Sequence, residues 1–572
     1  MATPQFVCAN WSADNTGCKK FGKYTCKGCH LVVYCGSDCQ KSHWALHKID
    51  CKSPLGNETW RPSWALENRK PAFLETGNRN IIPSFADEKR LWGNIPAIDV
   101  LKLESNEGVD YGKQIDLLFA VSGDLRNVVK TIAQVPASYN KLIVVTINDD
   151  DLDVMARNVI ILLIALVSDN IDEAVDCIIH VWYSALIRKS DLDMIQQKIL
   201  PLVQGICEKV KDKDSHSLLG KTWRFGKRSL RLVLQKSQWA RLLTYMKTPE
   251  GLTAERASRI RTAVTLAESK KDSLDRHLVF QSPARRIAKH RFRQDGLLLP
   301  FGAPRHEFQE PNPTLFNVTD SWPMNECADP LHGWSLKDVE DSSSGPATAD
   351  IYGKLFNHIR TTLRAFLIRL SDSQMAFRLF CMGFGEIYTI LECNTFNRIE
   401  VSNVADNLLA GIHHTASAMG PLLQCPRANP HATLITLFRN AITETMTMQD
   451  RMMDMYTRRP ETKLIREYIS HIGAKSFHHP LLDHRPLMWT YAQANVAAYD
   501  PIFDRFMENF RFSQVDKLFG LVMKEKHTVI EKWPFRLKLR YDQPGALEEL
   551  ISLNNEIVFA KERYVEWRRR YM

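Results

Sequence analysis

The sequence has no long hydrophobic run. Its longest uninterrupted apolar stretch is nine residues, Val159–Val167, closed by Ser168 and Asp169. A membrane span needs about 20 such residues, so this stretch reads as a buried helix and no membrane partner is expected. The start, Met1 to Cys8, has no basic segment leading into an apolar one, so a secretory leader is not expected either. No repeat with a period of about 20–50 residues is present, which excludes solenoids and propellers. Neither sign of charge dominates. Lys and Arg number 75 against 65 Asp and Glu, a mild +10 over 572 residues that does not require nucleic acid. Hydrophobic residues make up 44% and charged residues 24%, an ordinary globular balance. The length allows about three to five domains. The compartment expected is the cytoplasm, or the nucleus.

What is there in excess is cysteine, in one place. Seven of the thirteen cysteines lie within the first 51 residues. In a reducing compartment such a cluster binds metal rather than forming disulfides. The candidate ligands are Cys8, Cys18, Cys26, Cys29, Cys35, Cys39, His47 and Cys51. Zinc takes four sulfur or nitrogen ligands, so eight ligands close two sites. Cys26 and Cys29 have the spacing of a zinc knuckle. Cys35/Cys39 and His47/Cys51 are pairs four residues apart, each on one helix face. Ser37 is placed to cap the helix that carries Cys39. His43 competes with His47, but only His47 lies four residues before Cys51. Four protein ligands leave no position for water, so both sites read as structural. The segment is too small to build its own core, and metal replaces one.

Residues 8–51 resemble the MYND zinc finger. The residues that carry the resemblance are Val33-Tyr34-Cys35, Cys39-Gln40-Lys41-Ser42-His43-Trp44 and His47-Lys48-Ile49-Asp50-Cys51-Lys52-Ser53-Pro54-Leu55. The resemblance implies two cross-braced zincs. Cys8, Cys18, Cys35 and Cys39 would hold one, and Cys26, Cys29, His47 and Cys51 the other. This sequence departs from the family at its first pair, where Cys8-x9-Cys18 stands for the usual Cys-x2-Cys. The resemblance also implies a protein partner carrying a short proline-containing motif. Gln40 and Trp44, four apart on the last helix, would line its groove; a core tryptophan is the other reading of Trp44.

Residues 52–90 are turn-rich and read as a linker that packs on the next domain. Then the pattern changes. Ile115–Val121 and Leu142–Ile147 are near-continuous apolar strands, each followed by a helical stretch. Downstream, Phe396–Ser402 and Ala432–Phe438 repeat the strand pattern. Apolar strands alternating with helices predict an α/β fold with a parallel sheet covered on both faces. Ligands of such sheets bind beyond the carboxyl ends of the strands, which here carry Ser122-Gly123-Asp124, Asn148 to Asp151, and Ser402-Asn403.

This order resembles a Rossmann-like methyltransferase core. It also resembles fungal MYND-finger proteins fused to a domain shared with the N-terminal region of dynein axonemal assembly factor three. The residues concerned are Leu91-Trp92-Gly93-Asn94-Ile95-Pro96-Ala97, Ser122-Gly123-Asp124-Leu125-Arg126, Arg157-Asn158, Arg398 to Asn403 and Asn429 to Leu434. The resemblance implies S-adenosylmethionine as cofactor, with Gly123, Asp124 and Asp149 as the residues to hold it. A lone glycine is a weak signal for such a site, and the acids at 149–151 read equally as caps of the next helix.

The domain organisation expected is a finger at 8–51, a linker at 52–90 and a first α/β half at 91–170. A mainly helical insertion at 171–390 follows, with a long loop near 300–350, then a second α/β half at 391–440 and a helical region at 441–572. The helical reading of the last part includes Tyr564 and Trp567. Residues 281–293 carry Arg285, Arg286, Lys289, Arg291 and Arg293. They read as a solvated helix face or as a nucleic-acid or nuclear-import patch, and only one aromatic interleaves them. With no DNA-reading helix in view, direct nucleic-acid binding is not expected. Three functions compete: a zinc-stabilised interaction or assembly scaffold, which the closed sites favour; an S-adenosylmethionine-dependent methyltransferase; and a nuclear regulator whose finger recruits corepressors. Nothing in the sequence sets an oligomeric state.

Overall fold

A computed structural model gives the fold. The structure describes residues 6–11, 17–75, 89–279, 281–317, 320–455, 492, 494–546, 549–550, 553 and 561–571. Part of the expected linker, residues 76–88, lies outside them.

The finger comes first: a short hairpin, β1 (Tyr24–Thr25) and β2 (Val33–Tyr34), then helix α1 (Ser37–Cys51). The body alternates strands and helices. In chain order these are β3 (Ile115–Phe119), α2 (Arg126–Ala133), β4 (Ile143–Asn148), α3 (Leu152–Val167) and α4 (Ile171–Tyr183). Next come β5 (Leu186–Arg188), β6 (Leu218–Phe225), β7 (Arg228–Gln235), α5 (Pro283–Asp295) and β8 (Phe308–Pro311). Then follow α6 (Ile351–Asp372), β9 (Met375–Phe380), β10 (Arg398–Glu400), β11 (Thr433–Phe438), β12 (Leu521–Met523) and β13 (Arg563–Arg569).

The main sheet has nine strands in the order β12-β13-β11-β10-β3-β4-β9-β7-β6. Its interior, from β11 to β7, is parallel; β13, β12 and β6 join antiparallel. The protein is therefore α/β, a zinc-finger-like N-terminus followed by a mixed sheet with many helices, as the sequence predicts. Every residue of β3, β4 and β11 is buried, which is why these strands read as apolar runs without alternation. The nine-residue apolar stretch lies in α3, a helix buried almost all round and capped by Asp151, which accepts from the Asp153 backbone N–H. Burying each such aliphatic side chain stabilises the fold by about 1.5–3 kcal/mol.

Several expectations need correcting. The last segment, expected to be helical, contains β13 between β11 and β12. Tyr564, Val565, Glu566 and Trp567 are all buried there. A strand covered on both faces has no alternation, and the spacing of Tyr564 and Trp567 imitates a helix. The expected helical insertion supplies β6, β7 and β9 to the sheet. The later strands are also shorter than their apolar runs: β10 keeps only Arg398–Glu400. Arg398 and Glu107 form a fully buried bidentate pair with both contacts at 2.8 Å, and Asn429 donates to Glu107 at 2.9 Å.

The basic run at 281–293 is neither a solvated face nor an open patch. Arg286, Lys289 and Arg293 on α5 are buried. Arg286 donates to the carbonyls of Leu55, Asn57 and Gln281, and its guanidinium lies 5.1 Å from the Trp60 ring centre. Lys289 pairs with Asp329 at 3.0 Å. Charge that looked free in the sequence is used to hold the finger and its following segment on the body.

Candidate metal centre and strand-end crevice

The finger brings the eight predicted ligands together as two groups. Cys8, Cys18, Cys35 and Cys39 form one, and Cys26, Cys29, His47 and Cys51 the other, with the donor atoms of each group within 4.8 Å of one another. The groups interleave along the chain, so each metal ties segments that the other does not. Tetrahedral zinc with Zn–S near 2.3 Å requires sulfurs about 3.8 Å apart. The structure has Cys18–Cys35 at 3.6 Å, Cys35–Cys39 at 3.5 Å and Cys26–Cys51 at 3.9 Å. His47 Nε2 lies 3.5 Å from Cys29 Sγ. The donor set and its spacing fit two zinc ions. These groups would hold the metal as closed structural sites.

Local structure explains the placement. His30, with φ at 56°, turns the chain after the knuckle, and its N–H donates to the Cys26 carbonyl at 2.9 Å. A Cβ on Gly28 would lie 3.0 Å from Cys51 Sγ, so the knuckle needs glycine for close approach. Cys8, reached through the irregular first spacing, receives the Cys35 backbone N–H at 3.4 Å. His43 is not in either group; it pairs with the Tyr34 hydroxyl at 3.0 Å. Burial, with His43 adding to it, holds His47 down to about 4, so its imidazole is neutral, the form that ligates metal. Ser37 does not cap α1: its hydroxyl donates to Asp38, and Gly36 stands at the cap position without a side-chain bond.

Gln40 and Trp44 follow one another along α1 beside the metal-facing residues. Trp44 is 39% exposed, and its ring meets His47 edge-on at 6.0 Å. Trp44 is therefore not a core tryptophan. The finger does not hang free. Trp11 Nε1 donates to the Gly302 carbonyl at 2.9 Å, the Ala349 N–H to the His30 carbonyl at 3.3 Å, and Asp50 faces Arg291 at 3.6 Å. Cys8, Ala9, Leu31, Val32 and Tyr34 belong to the same apolar core as the sheet.

The crevice beyond the strand ends is arranged differently. Chain order reverses between β10 and β3, the place where such sheets take ligands. Gly123 adopts φ 55°, and its N–H donates to Asp149 at 2.9 Å. Its carbonyl accepts from Asn158 at 2.8 Å. Asp149 also accepts from the Asp151 N–H. Asp124 takes the Gly93 N–H at 2.7 Å and pairs with Arg126, which donates to the Ile95 carbonyl at 2.7 Å. A Cβ on Gly93 would overlap the Arg126 guanidinium. Segment 91–95 is thus stapled over the turn by Arg126, a residue for which the sequence alone offered no role. The three residues expected to hold an adenosyl cofactor are engaged by the chain's own backbone, and they do not fit that group. Burial pushes Asp149 up to about 7, which also disfavours a charged ribose acceptor. No helix among the described residues is long and apolar enough to cross a membrane.

Comparison with known proteins separates the two parts. Residues 14–51 match the MYND finger family, and residues 91–187 match DUF4470, a domain of unknown function. A 46-residue stretch is 39% identical to N-lysine methyltransferase SMYD2-B of Danio rerio, and a 53-residue stretch is 50% identical to histone-lysine N-methyltransferase ASHR1 of Arabidopsis thaliana. Each match covers 8% of this chain and 11% of the relative, and lies at the finger. The chain thus spans about a tenth of the length of these curated relatives. No solved structure matches. The MYND finger and its Cys/His groups support a zinc-binding interaction module at the N-terminus.

Proposed function

We propose that this protein is a zinc-stabilised interaction or assembly scaffold whose finger docks a short proline-containing peptide through Gln40 and Trp44. The observation that carries this reading is the exposure of Trp44 on a helix fixed on its other sides by metal ligands and by the body. An exposed tryptophan on a rigid support offers a large apolar contact at little entropic cost. The α/β body holds that surface in place. The sequence pattern of the body that resembles the N-terminal region of dynein axonemal assembly factor three is the reason for proposing assembly, and the compartment proposed is the cytoplasm or the nucleus. Recruitment of a nuclear corepressor is one form such docking takes.

The test uses the full-length zinc-loaded chain and an arrayed library of ten-residue peptides with one fixed central proline and all other positions randomised. Retention by the native chain, and its loss in Trp44→Ala with zinc content unchanged, are expected. Equal retention by both proteins contradicts the reading.

The second reading, an S-adenosylmethionine-dependent methyltransferase, draws support from the parallel strands and the reversal between β10 and β3. The methyltransferase names of the relatives add nothing to it, because those matches stop at the finger. The engaged groups of Gly123, Asp124 and Asp149 count against it.

A further inference from the structure

We infer that the peptide docked at Trp44 is acidic, carrying Asp or Glu beside its proline. This inference rests on the peptide-docking reading and names the chemistry of its partner. At 100° per residue, Gln40, Trp44, Lys48 and Lys41 fall in that order across about 100° of the α1 surface. Lys41 and Lys48 therefore stand directly beside the tryptophan, and both are exposed. Asp50, the acid nearest in sequence to Lys48, lies on a different side of α1 and faces Arg291 of the body at 3.6 Å. The docking stripe thus lies on another side of α1 from the one that meets Arg291.

The lysines of the finger are also uncompensated. Among the described residues, neither Lys41 nor Lys48 makes an ion pair, and neither do Lys19, Lys20, Lys23 or Lys27 on the segments before and between the knuckle cysteines. Thiolates around two zincs offset part of the positive charge of the finger, but they are turned inward. A ligand on the outer face meets ammonium groups around an aromatic ring. Exposed aromatic rings on the same finger, Phe21 and Tyr24, sit among Lys20 and Lys23. Carboxylates flanking an apolar proline core complement that surface.

The peptide library decides the matter, with the sequences retained read out at each position. Native protein at low salt is expected to enrich Asp and Glu about tenfold over Lys and Arg beside the proline, with the enrichment shrinking as salt rises. Lys41→Glu/Lys48→Glu is expected to keep its zinc and to reverse the preference, enriching Lys and Arg over Asp and Glu beside the proline; an acidic preference equal to that of the native protein overturns the inference. Retention that depends on Trp44 but shows no charge preference overturns the inference and leaves the docking reading intact. Absence of any retained peptide overturns both. Tighter binding of an oligodeoxythymidylate than of the enriched acidic peptides overturns the inference in favour of nucleic acid.

Discussion

Arg286 Nε of the body donates to the Leu55 carbonyl, four residues past the last metal ligand, at 2.8 Å. With its two other guanidinium nitrogens on Asn57 and Gln281, this side chain fastens the finger's exit segment to α5. Orientation of the Trp44 side of α1 therefore depends on a residue more than two hundred positions away in sequence.

Arg286→Ala is expected to lower stability by about 2–4 kcal/mol, because three backbone carbonyls lose a charged donor. It should also make the segment after Cys51 more sensitive to limited proteolysis while two zincs stay bound. Unchanged cleavage in that segment would show that the clamp is not needed.

Metal content tests the interleaved sites. Two equivalents of zinc per chain are expected from the two groups. Cys8→Ser should remove one of them, despite the irregular spacing before Cys18. Each structural zinc contributes on the order of 10 kcal/mol or more to folding. Because the finger shares the core of the body, strong chelation should lower the melting temperature of the whole chain. A melting curve indifferent to chelator would mean that the finger folds as a separate unit.

Glu107 is the sole carboxylate in contact with buried Arg398 among the described residues. Glu107→Ala leaves a guanidinium without its counter-charge in the interior, a change that costs about 3–5 kcal/mol. Urea denaturation should read that loss, whereas substitution of the exposed pair Lys337–Asp341 should leave the denaturation midpoint nearly unchanged.

Burial pushes Glu400, at the end of β10, up to about 7, outweighing the lowering effects of the Ser402 N–H and Arg126. A carboxyl whose folded value lies above its unfolded value contributes stability that is complete at low pH. That contribution is lost as pH rises towards the folded value. Glu400 should therefore cost the native protein up to about 3 kcal/mol between pH 4.5 and 7. Glu400→Gln keeps an acceptor for the Ser402 N–H and should flatten stability over that window. Parallel pH curves for the two proteins would contradict the assignment.

The sequence showed the parts whose chemistry is local. Cysteine spacing revealed the metal ligands because each pair lies within one turn or knuckle. β3, β4 and β11 were legible because strands covered on both faces are apolar throughout. What was hidden depends on distant partners. β13 reads as a basic amphipathic segment until β11 and β12 cover it, and Glu566, fully buried there, is satisfied by the Thr528, Val529 and Ile530 N–H groups. The charges of α5 look solvated until Leu55, Asn57 and Asp329 are placed against them. Gly123, Asp124 and Asp149 suggested a cofactor site because their types and order are right. Only the fold shows that Gly93, Arg126 and Asn158 already take their hydrogen bonds.

Calorimetric titration of the full-length zinc-loaded protein with S-adenosylmethionine tests the central claim most directly. A crevice sealed by segment 91–95 and a protein that acts through its finger predict no saturable heat. They also predict unaltered retention of proline peptides when the cofactor is present. Saturable binding in the micromolar range, about −8 kcal/mol, abolished by Asp149→Ala, would contradict the account and place catalysis at the strand ends.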